Sequence, residues 1–222
     1  MTIQRVAVIG GTGEEGFGLA LRWATAGIPI TIGSRQQEKA NDAVRRLEDR
    51  VPGAAVEGME NAAAAASSDV VVVTIPFSGQ GVIYRSIADS VREGAIVIDC
   101  TVPVEAAVGG KPTRVLGVWE GSAAQLAQSI LPKGTSMSAA FHSLAAAALN
   151  EGDSVLEGDV LACGPKAAKP VIRELVESIP DLRFVDAGPL ENARIVETIT
   201  SLLIGINHRY KTDRAGIRIT GI

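Results

Sequence analysis

Short apolar runs alternate with segments of helical periodicity along the first hundred residues of the chain. The apolar runs predict five strands, at Ile3–Ile9, Ile28–Ile32, Ala54–Val56, Val70–Ile75 and Ala95–Asp99. Apolar residues recur at helical spacing from about Glu14 to Ala26 and from about Gln36 to Arg50. The fourth run is apolar on both faces, which is typical of a central strand in a parallel sheet. The alternation predicts an α/β fold with a doubly wound, Rossmann-type parallel sheet.

The second half of the chain has a weaker pattern that still indicates α/β structure. Strands are predicted at Ser136–Phe141, Asp159–Cys163 and Leu182–Asp186, and helices at Ser122–Leu131, Ala167–Ile179 and about Pro189–Arg209. Residues 215–222 alternate like a strand. We expect a Rossmann domain over residues 1–150 and a small C-terminal domain over residues 151–222. Because the long helix carries an apolar stripe and the tail is strand-like, we also expect a homodimer.

A glycine pattern follows the first predicted strand. The run Val6–Ile9 leads into Gly11-x-Gly13-x-x-Gly16 and then into the first predicted helix. In such a motif Gly11 allows the tight turn, Gly13 lets the backbone approach a pyrophosphate, and Gly16 lets the helix pack closely on the strand. The helix N-terminus offers unpaired N–H groups and partial positive charge to phosphates. This strand–turn–helix context predicts a dinucleotide site.

The end of the second predicted strand indicates which dinucleotide binds. An NAD site places an acidic residue there to hold the ribose 2′-hydroxyl. This chain instead has Gly33-Ser34-Arg35, with Lys39 one helical turn further on. Arginine binds a phosphate through its bidentate guanidinium, and lysine acts as a point charge. The two cations could be a solvated helix start, but their position after the glycine motif favours a 2′-phosphate contact, and we predict NADP(H).

Composition and charge narrow the class of protein. The formal net charge is −4, which argues against general nucleic-acid binding. No apolar run reaches the length of a membrane span and no basic, apolar leader precedes the first strand, so we expect a cytoplasmic protein with no membrane partner. Cys100 and Cys163 each follow a strand-like run, which suggests buried thiols. No cysteine–histidine spacing resembles a zinc site, so we expect no metal.

Several segments together resemble one enzyme family across almost the whole chain. They are Ile9-Gly-Gly-Thr-Gly13, Ile32-Gly-Ser-Arg35 with Lys39-Ala40, Val73-Thr-Ile-Pro76, Asp186-Ala-Gly-Pro-Leu190 and Arg194-Ile-Val-Glu197 with Thr200. The set resembles the NADPH-dependent reductases of coenzyme F420, which exchange a hydride between NADP(H) and a deazaflavin. The resemblance implies an oxidoreductase that binds NADP(H) and takes coenzyme F420 as substrate.

The resemblance also implies roles for individual residues. The positions that match NADP phosphate contacts are Thr12, Ser34, Arg35 and Lys39, and those beside the nicotinamide are Ile75 and Pro76. The positions that match deazaflavin contacts are His142, Arg194, Thr198 and Thr200, with Val102 and Pro103 as another wall of that pocket. Glu14 and Glu15 replace the smaller or apolar residues expected in the glycine loop. Two acids there disfavour a pyrophosphate unless they point to solvent.

The residues themselves give partial support for the second site. From residue 194 onward five cations stand against two acids, which favours an anionic ligand such as the polyanionic F420, although an ordinary solvated tail would look the same. Arg194, Thr198 and Ser201 share one helical stripe, opposite the apolar one. Thr200 lies off that stripe, so either the helix is irregular there or Thr200 faces another element.

His142 is expected to position a ligand rather than to act as an acid or base. Hydride transfer needs no enzyme nucleophile, so the protein must hold two rings face to face and exclude water. We expect His142 to donate a hydrogen bond to the deazaflavin, with no catalytic side chain.

Three other functions compete with this hypothesis. A flavin could take the hydride, as in NADPH-oxidising modules of ferric reductases. The chain could be an NADP(H)-sensing protein without turnover, which the C-terminal cations and His142 disfavour. A dehydrogenase of a small hydroxy or imino acid is the third, but no paired Lys/Asp or His/Asp arrangement supports it.

Overall fold

The computed structural model describes residues 3–152 and 155–222 and contains one six-stranded parallel sheet. Its strands are β1 Val6–Ile9, β2 Ile30–Ser34, β3 Val56–Glu60, β4 Val70–Val73, β5 Ile96–Asp99 and β6 Ser136–Ala139. The helices are α1 Glu14–Thr25, α2 Gln37–Glu48, α3 Asn61–Ser67, α4 Phe77–Ile87, α5 Ala123–Ile130 and α6 Ala146–Asn150. The strand order β3-β2-β1-β4-β5-β6 is that of the predicted Rossmann-type sheet.

The order of strands reverses at β1, which lies between β2 and β4. Val6 pairs with Ile30 on one side and with Val70 on the other. Strands β1, β4 and β5 are buried along their whole length, because helices cover both faces of the sheet. In such sheets a crevice forms at the carboxyl ends of the strands beside the reversal. The crevice therefore lies where β1 and β4 end.

The C-terminal part adds two strands and two helices. Strands β7 Gly158–Ala162 and β8 Leu182–Asp186 are parallel to each other, with α7 Lys169–Glu177 between them and α8 Ala193–Tyr210 after them. An antiparallel bridge between Ala139 and Cys163 connects β7 to β6, with N···O distances of 2.8 and 2.9 Å.

The hydrophobic core crosses residue 150. Trp23 of α1 and Val171 of α7 belong to one buried cluster, and the Trp23 indole N–H donates to the Leu175 carbonyl at 3.0 Å. The shared core joins the two predicted domains through α1 and α7. The division into residues 1–150 and 151–222 stays a prediction.

The structure corrects several predicted elements. Strand β3 was predicted at Ala54–Val56 but begins at Val56. Helix α4, between β4 and β5, was not predicted. The described residues 215–222 form no strand, so the strand-like interpretation of the tail is wrong. The tail contacts β7 through a single backbone hydrogen bond, from Asp159 N–H to the Ile217 carbonyl at 2.7 Å, and through the Asp159 carboxylate, which accepts from Ile219 N–H at 2.6 Å.

Helix α8 departs from its predicted packing. Its predicted apolar stripe is only partly covered, since Ile195 and Leu202 are 58% and 63% exposed. Ser201, predicted to share a polar stripe with Arg194, is buried instead.

Cys100 and Cys163 are buried free thiols, as expected. Within the described ranges no helix is long and apolar enough to cross a membrane.

Candidate functional site

A cavity of about 800 Å³ opens at the carboxyl ends of β1, β2 and β4. The predicted site residues that line it are Thr12, Gly13, Ser34, Arg35, Lys39, Ile75 and Pro76. Its other walls are Gly10, Gln36, Asn61, Thr74, Ser78, Gly79, Val82 and Ile83. The structure thus places the glycine turn, the cationic strand end and the end of β4 around one space. Its volume lies within the range of ligand and cofactor pockets.

The glycine turn is built differently from its prediction. Gly10, not Gly11, has the left-handed backbone, with φ of +81°. Gly11 is needed for close packing, because a Cβ there would lie 2.8 Å from the Val8 carbonyl oxygen. A Cβ at Gly16 would overlap Thr74 Oγ1 and lie 2.8 Å from the Gly10 carbonyl oxygen. The approach of α1 to the strand ends therefore depends on Gly16, as predicted.

Gly13 lies at the mouth of the cavity as the N-cap residue of α1. It is exposed, and a Cβ there would have its nearest contact at 3.4 Å, with the Gly10 carbonyl oxygen. The turn leaves this helix end open on the cavity side, where unpaired N–H groups and the helix dipole favour an anion.

The far end of the cavity is cationic. Arg35 and Lys39 are exposed and Ser34 is buried beside them at the end of β2. No aspartate or glutamate is among the residues that line the cavity in the described part of the chain. A hydroxyl, a guanidinium and an ammonium group at one end of the cavity can bind a phosphate group, and no carboxylate among the lining residues repels it.

Helix α4 forms the wall that sequence reasoning missed. Pro76 is its N-cap residue, and Ser78, Gly79, Val82 and Ile83 face the cavity. A proline followed by apolar residues at helical spacing, Ile83 and Ile87, is the signal that could have located this helix. Asn61 was also missed; its Oδ1 is buried without a hydrogen-bond partner among the described residues.

His142 lies outside this cavity, in the loop after β6. Phe141 before it has a left-handed backbone, with φ of 71°, and its ring packs edge-on against Trp23 with centroids 5.5 Å apart. Burial lowers the pKa of His142 to about 4, partly offset by the Asp99 backbone. Neither ring nitrogen has a hydrogen-bond partner of normal geometry among the described residues, although the Asp99 backbone lies close enough to favour the protonated ring. His142 is therefore a buried, neutral imidazole, and its two nitrogens are enclosed by the protein.

The predicted residues of α8 fall into three different situations. The Thr200 hydroxyl donates to the His142 carbonyl at 2.7 Å, so Thr200 does face another element. The Thr198 hydroxyl donates to the Ile195 carbonyl of its own helix at 2.7 Å. Arg194 is exposed. The structure therefore joins Thr200 to His142 directly, whereas no hydrogen bond links Thr198 or Arg194 to that loop in the part of the chain that the structure describes.

Val102 and Pro103 follow β5 and also lie outside the cavity. Pro103 is buried and its carbonyl accepts a hydrogen bond from Leu116 N–H at 2.7 Å, whereas Val102 is partly exposed. Both extend from the carboxyl end of the strand next to β6, which carries His142 at its own end.

The two acids of the glycine loop behave differently from each other. Glu14 is exposed, as the expectation requires. Glu15 is partly buried, and burial together with the nearby Asp99 carboxylate raises its pKa to about 8. Glu15 therefore does not point freely to solvent, and near pH 7 it is mostly an uncharged carboxylic acid. The expected repulsion of a pyrophosphate is weakened by loss of charge rather than by exposure.

A buried polar cluster at the end of β5 was not foreseen. The Asp99 carboxylate accepts hydrogen bonds from the Tyr84 hydroxyl at 2.9 Å, the Thr101 hydroxyl at 2.8 Å and the Gln80 amide at 2.9 Å. Burial raises the pKa of Asp99 to about 7, although these donors lower it. No spacing in the sequence predicts the cluster, because Gln80 and Tyr84 belong to α4 and not to β5.

Residues 5–103 match the family model described as NADP oxidoreductase, coenzyme F420-dependent. An F420-dependent NADP reductase of Methanothermobacter thermautotrophicus is 45% identical over 99% of this chain and 96% of its own length. That of Methanocaldococcus jannaschii is 39% identical over 98% of this chain and 99% of its own length.

Solved structures support the fold. A crystal structure from Arthrobacter sp. FB24, described as a candidate F420-dependent NADP-reductase, has a TM-score of 0.82 at 20% identity and covers 99% of this chain and 100% of its own. A Plasmodium falciparum pyrroline carboxylate reductase with NADP bound has a TM-score of 0.59 at 13% identity, over 95% of this chain and 66% of its own. With relatives of 39–45% identity over nearly its full length, the chain belongs to the F420-dependent NADP reductase family.

Proposed function

We propose that this protein catalyses direct hydride transfer between NADP(H) and coenzyme F420. The observation that carries the proposal is the cavity itself, with an open helix N-terminus at one end, Ser34, Arg35 and Lys39 at the other, and no acid in its lining. The relatives that share 39–45% of its residues are named F420-dependent NADP reductases. The reaction balances as NADPH + F420 + H⁺ to NADP⁺ + F420H₂, and its direction depends on metabolite levels and pH.

The NADP(H) end of the site needs no movement of the glycine turn. Gly11 and Gly16 fill positions where a Cβ would collide with the backbone, so the turn can follow a pyrophosphate closely. Thr12 and Gly13 would contact the phosphates, and Ser34, Arg35 and Lys39 the 2′-phosphate. Ile75 and Pro76 would lie beside the nicotinamide. These roles rest on where the side chains line the cavity and on the family's pattern.

The deazaflavin end is proposed at the carboxyl ends of β5 and β6. His142 supports it, because its buried ring nitrogens have no partner among the described residues and its pKa of about 4 keeps it neutral. Thr200 holds the loop of His142 through the 2.7 Å hydrogen bond, and Arg194 on the same helix offers an exposed cation. Thr198, Val102 and Pro103 complete the proposed contacts. We assign no catalytic side chain: these residues bind, orient and exclude water.

The proposal is tested by following the visible absorbance band of F420 with purified protein. Bleaching with NADPH, much slower bleaching with NADH, and loss of this preference in Arg35→Gln are the expected results. The matched control is Arg45→Gln, an exposed arginine of α2 that pairs with the exposed Asp42 and does not line the cavity. NADPH oxidation with FMN but not F420 would indicate a flavin reductase. Tight NADP⁺ binding without turnover of either acceptor would indicate a sensor.

The same proposal includes assembly and location. Residues 151–222 contribute α8 to the deazaflavin site, and the exposed Ile195 and Leu202 form the face through which two copies would associate. A monomer mass by light scattering at micromolar concentration would contradict the dimer. With a net charge of −4 and two free buried thiols, we place the protein in the cytoplasm, without a nucleic-acid or membrane partner.

A further inference from the structure

Glu197 of α8 is a fully buried carboxyl that none of the roles above uses. Its two oxygens accept hydrogen bonds from the first two N–H groups of α5, Ala123 N at 2.8 Å and Ala124 N at 3.0 Å. Within the described ranges no lysine, arginine or histidine lies at ion-pair distance from it. Glu197 therefore holds α8 to the N-terminus of α5, where its two oxygens satisfy N–H groups that have no partner within the helix.

Helix α4 also contacts the N-terminal end of α5. The Gln80 amide of α4 donates to the Ala123 carbonyl at 3.0 Å as well as to Asp99 at 2.9 Å. Ala123 is thus hydrogen-bonded to α4 through its carbonyl and to α8 through its N–H. Both contacts are buried, since Gln80 is 1% and Glu197 0% exposed.

The two helices joined in this way belong to the two ends of the proposed site. Helix α4 forms a wall of the cavity through Ser78, Gly79, Val82 and Ile83. Helix α8 carries Arg194 and Thr200 within one turn of Glu197, and Thr200 holds the His142 carbonyl. A continuous series of contacts therefore links the two ends. It runs from the cavity wall α4 through Gln80 to Ala123 of α5, and from Ala123 through Glu197 of α8 to the loop of His142.

We propose that Glu197 is a positioning residue that sets the distance between the two bound rings, through α5, for the hydride transfer proposed above. This inference rests on the proposed function and adds a residue to it. Hydride transfer demands that the reacting carbons meet at near-attack distance, and a displacement of about 1 Å can cost on the order of a hundredfold in rate. A carboxyl group is suited to the task because two oxygens fix both the position and the rotation of α8 against two N–H groups.

Two substitutions grade the loss of this contact. Glu197→Gln keeps the shape of the side chain but replaces one acceptor oxygen by an NH₂ group. This group faces a backbone N–H and cannot accept from it, so only one of the two hydrogen bonds remains. Glu197→Asp keeps the carboxyl group and shortens its reach by one methylene. We expect kcat to fall by about tenfold or more and the KM for F420 to rise by about tenfold in Glu197→Gln, with smaller changes in Glu197→Asp and the Kd for NADPH within about twofold of wild type. The primary isotope effect with 4-deuterated NADPH should increase, since hydride transfer becomes slower than product release.

Two control variants separate positioning from loss of stability. Ile172→Val removes one buried methyl group from α7, away from both ends of the site, and should lower the melting temperature without moving the KM for F420. Glu191→Gln changes an exposed carboxylate just before α8 and should change neither quantity. If Glu197→Gln does not fold, Glu197→Asp is measured alone against the same controls.

The inference and the proposed function fail in different ways. Wild-type protein that does not reduce F420 overturns the function, and the inference with it. Active wild-type protein together with a Glu197→Gln variant of unchanged KM for F420 and unchanged isotope effect overturns the inference alone, even if that variant melts at a lower temperature.

Discussion

Gly16→Ala is the substitution whose effect can be worked out most directly from the geometry. The added methyl group would overlap Thr74 Oγ1 and lie 2.8 Å from the Gly10 carbonyl oxygen and 2.9 Å from the Gly11 Cα. Thr74 cannot simply rotate away, because its hydroxyl donates to the Ile9 carbonyl at 3.1 Å. The other two contacts are backbone. The first turn of α1 must therefore move away from the strand ends.

The magnitude follows from two opposing contributions. Overpacking of a close-packed site costs about 1–3 kcal/mol. Alanine stabilises a helix interior over glycine by up to about 1 kcal/mol, and Gly16 lies inside α1. The net expectation is a loss of about 0–3 kcal/mol, centred near 1.5 kcal/mol, in the free energy of unfolding. The displaced helix N-terminus should also weaken NADPH binding by about tenfold, because its N–H groups no longer point at the phosphates.

Urea unfolding and a fluorescence titration with NADPH measure the two effects. Gly13→Ala is the matched control, since its Cβ would have its nearest contact at 3.4 Å and its φ of −79° suits alanine. It should leave the free energy of unfolding within about 0.5 kcal/mol of wild type while still obstructing the phosphates. A Gly16→Ala protein as stable as wild type, with unchanged NADPH affinity, would refute the packing argument.

Three further predictions use other parts of the site. Arg35→Gln should raise the KM for NADPH by one to two orders of magnitude, about 1.5–3 kcal/mol for a lost charged hydrogen bond, and leave that for NADH unchanged in steady-state assays. Thr200→Val leaves the His142 carbonyl unpaired, so the KM for F420 should rise with no change in the Kd for NADPH by titration. Between pH 6.5 and 8 the free energy of unfolding should fall as pH rises, because the raised pKa values of Asp99, Glu15 and Glu197, about 7, 8 and 8, make the folded protein bind more protons than the unfolded chain. The slope is at most about 1.4 kcal/mol per pH unit and per group, and the lowered pKa of His142 opposes it in part up to about pH 7.5, where the unfolded imidazole loses its last protons. Urea unfolding at three pH values measures this dependence, and Asp99→Asn should show a weaker one. A free energy of unfolding that rises with pH would contradict the prediction.

The Rossmann half of the fold could be predicted because its signals are local. Strands β1, β2, β4 and β5 each coincide with a short, mainly apolar run, and their observed ends lie within three residues of the predicted ones. Strand β3 was misplaced because it is an edge strand whose later residues, Glu57 and Glu60, read as polar. Helix α4 was missed because Ser78, Gly79 and Gly81 in its first turns are weak helix formers.

The polar interior could not be predicted, because it depends on contacts between distant segments. Asp99 was visible as a strand end, but its partners Gln80 and Tyr84 come from α4, which the sequence did not reveal. Glu197 was visible only as part of a motif, and its partners lie 73 and 74 residues earlier in the chain. A pattern along the sequence predicts which face of an element is apolar. It does not predict which buried carboxyl meets which helix end.

These distant contacts explain why a Rossmann sheet alone is not sufficient for the proposed reaction. The residues that line the cavity at β1, β2 and β4 all lie between positions 10 and 83, so the proposed NADP(H) contacts use no side chain of the C-terminal part. The His142 loop, by contrast, receives a hydrogen bond from Thr200, 58 residues further on. Helix α8 is in turn fixed to α5 by Glu197. In the proposed function, the residues that hold a second ring beside the first come together only after the chain has returned from β8 to the end of β6. The C-terminal residues would then fix the spacing between two binding surfaces, which hydride transfer between two diffusible cofactors requires.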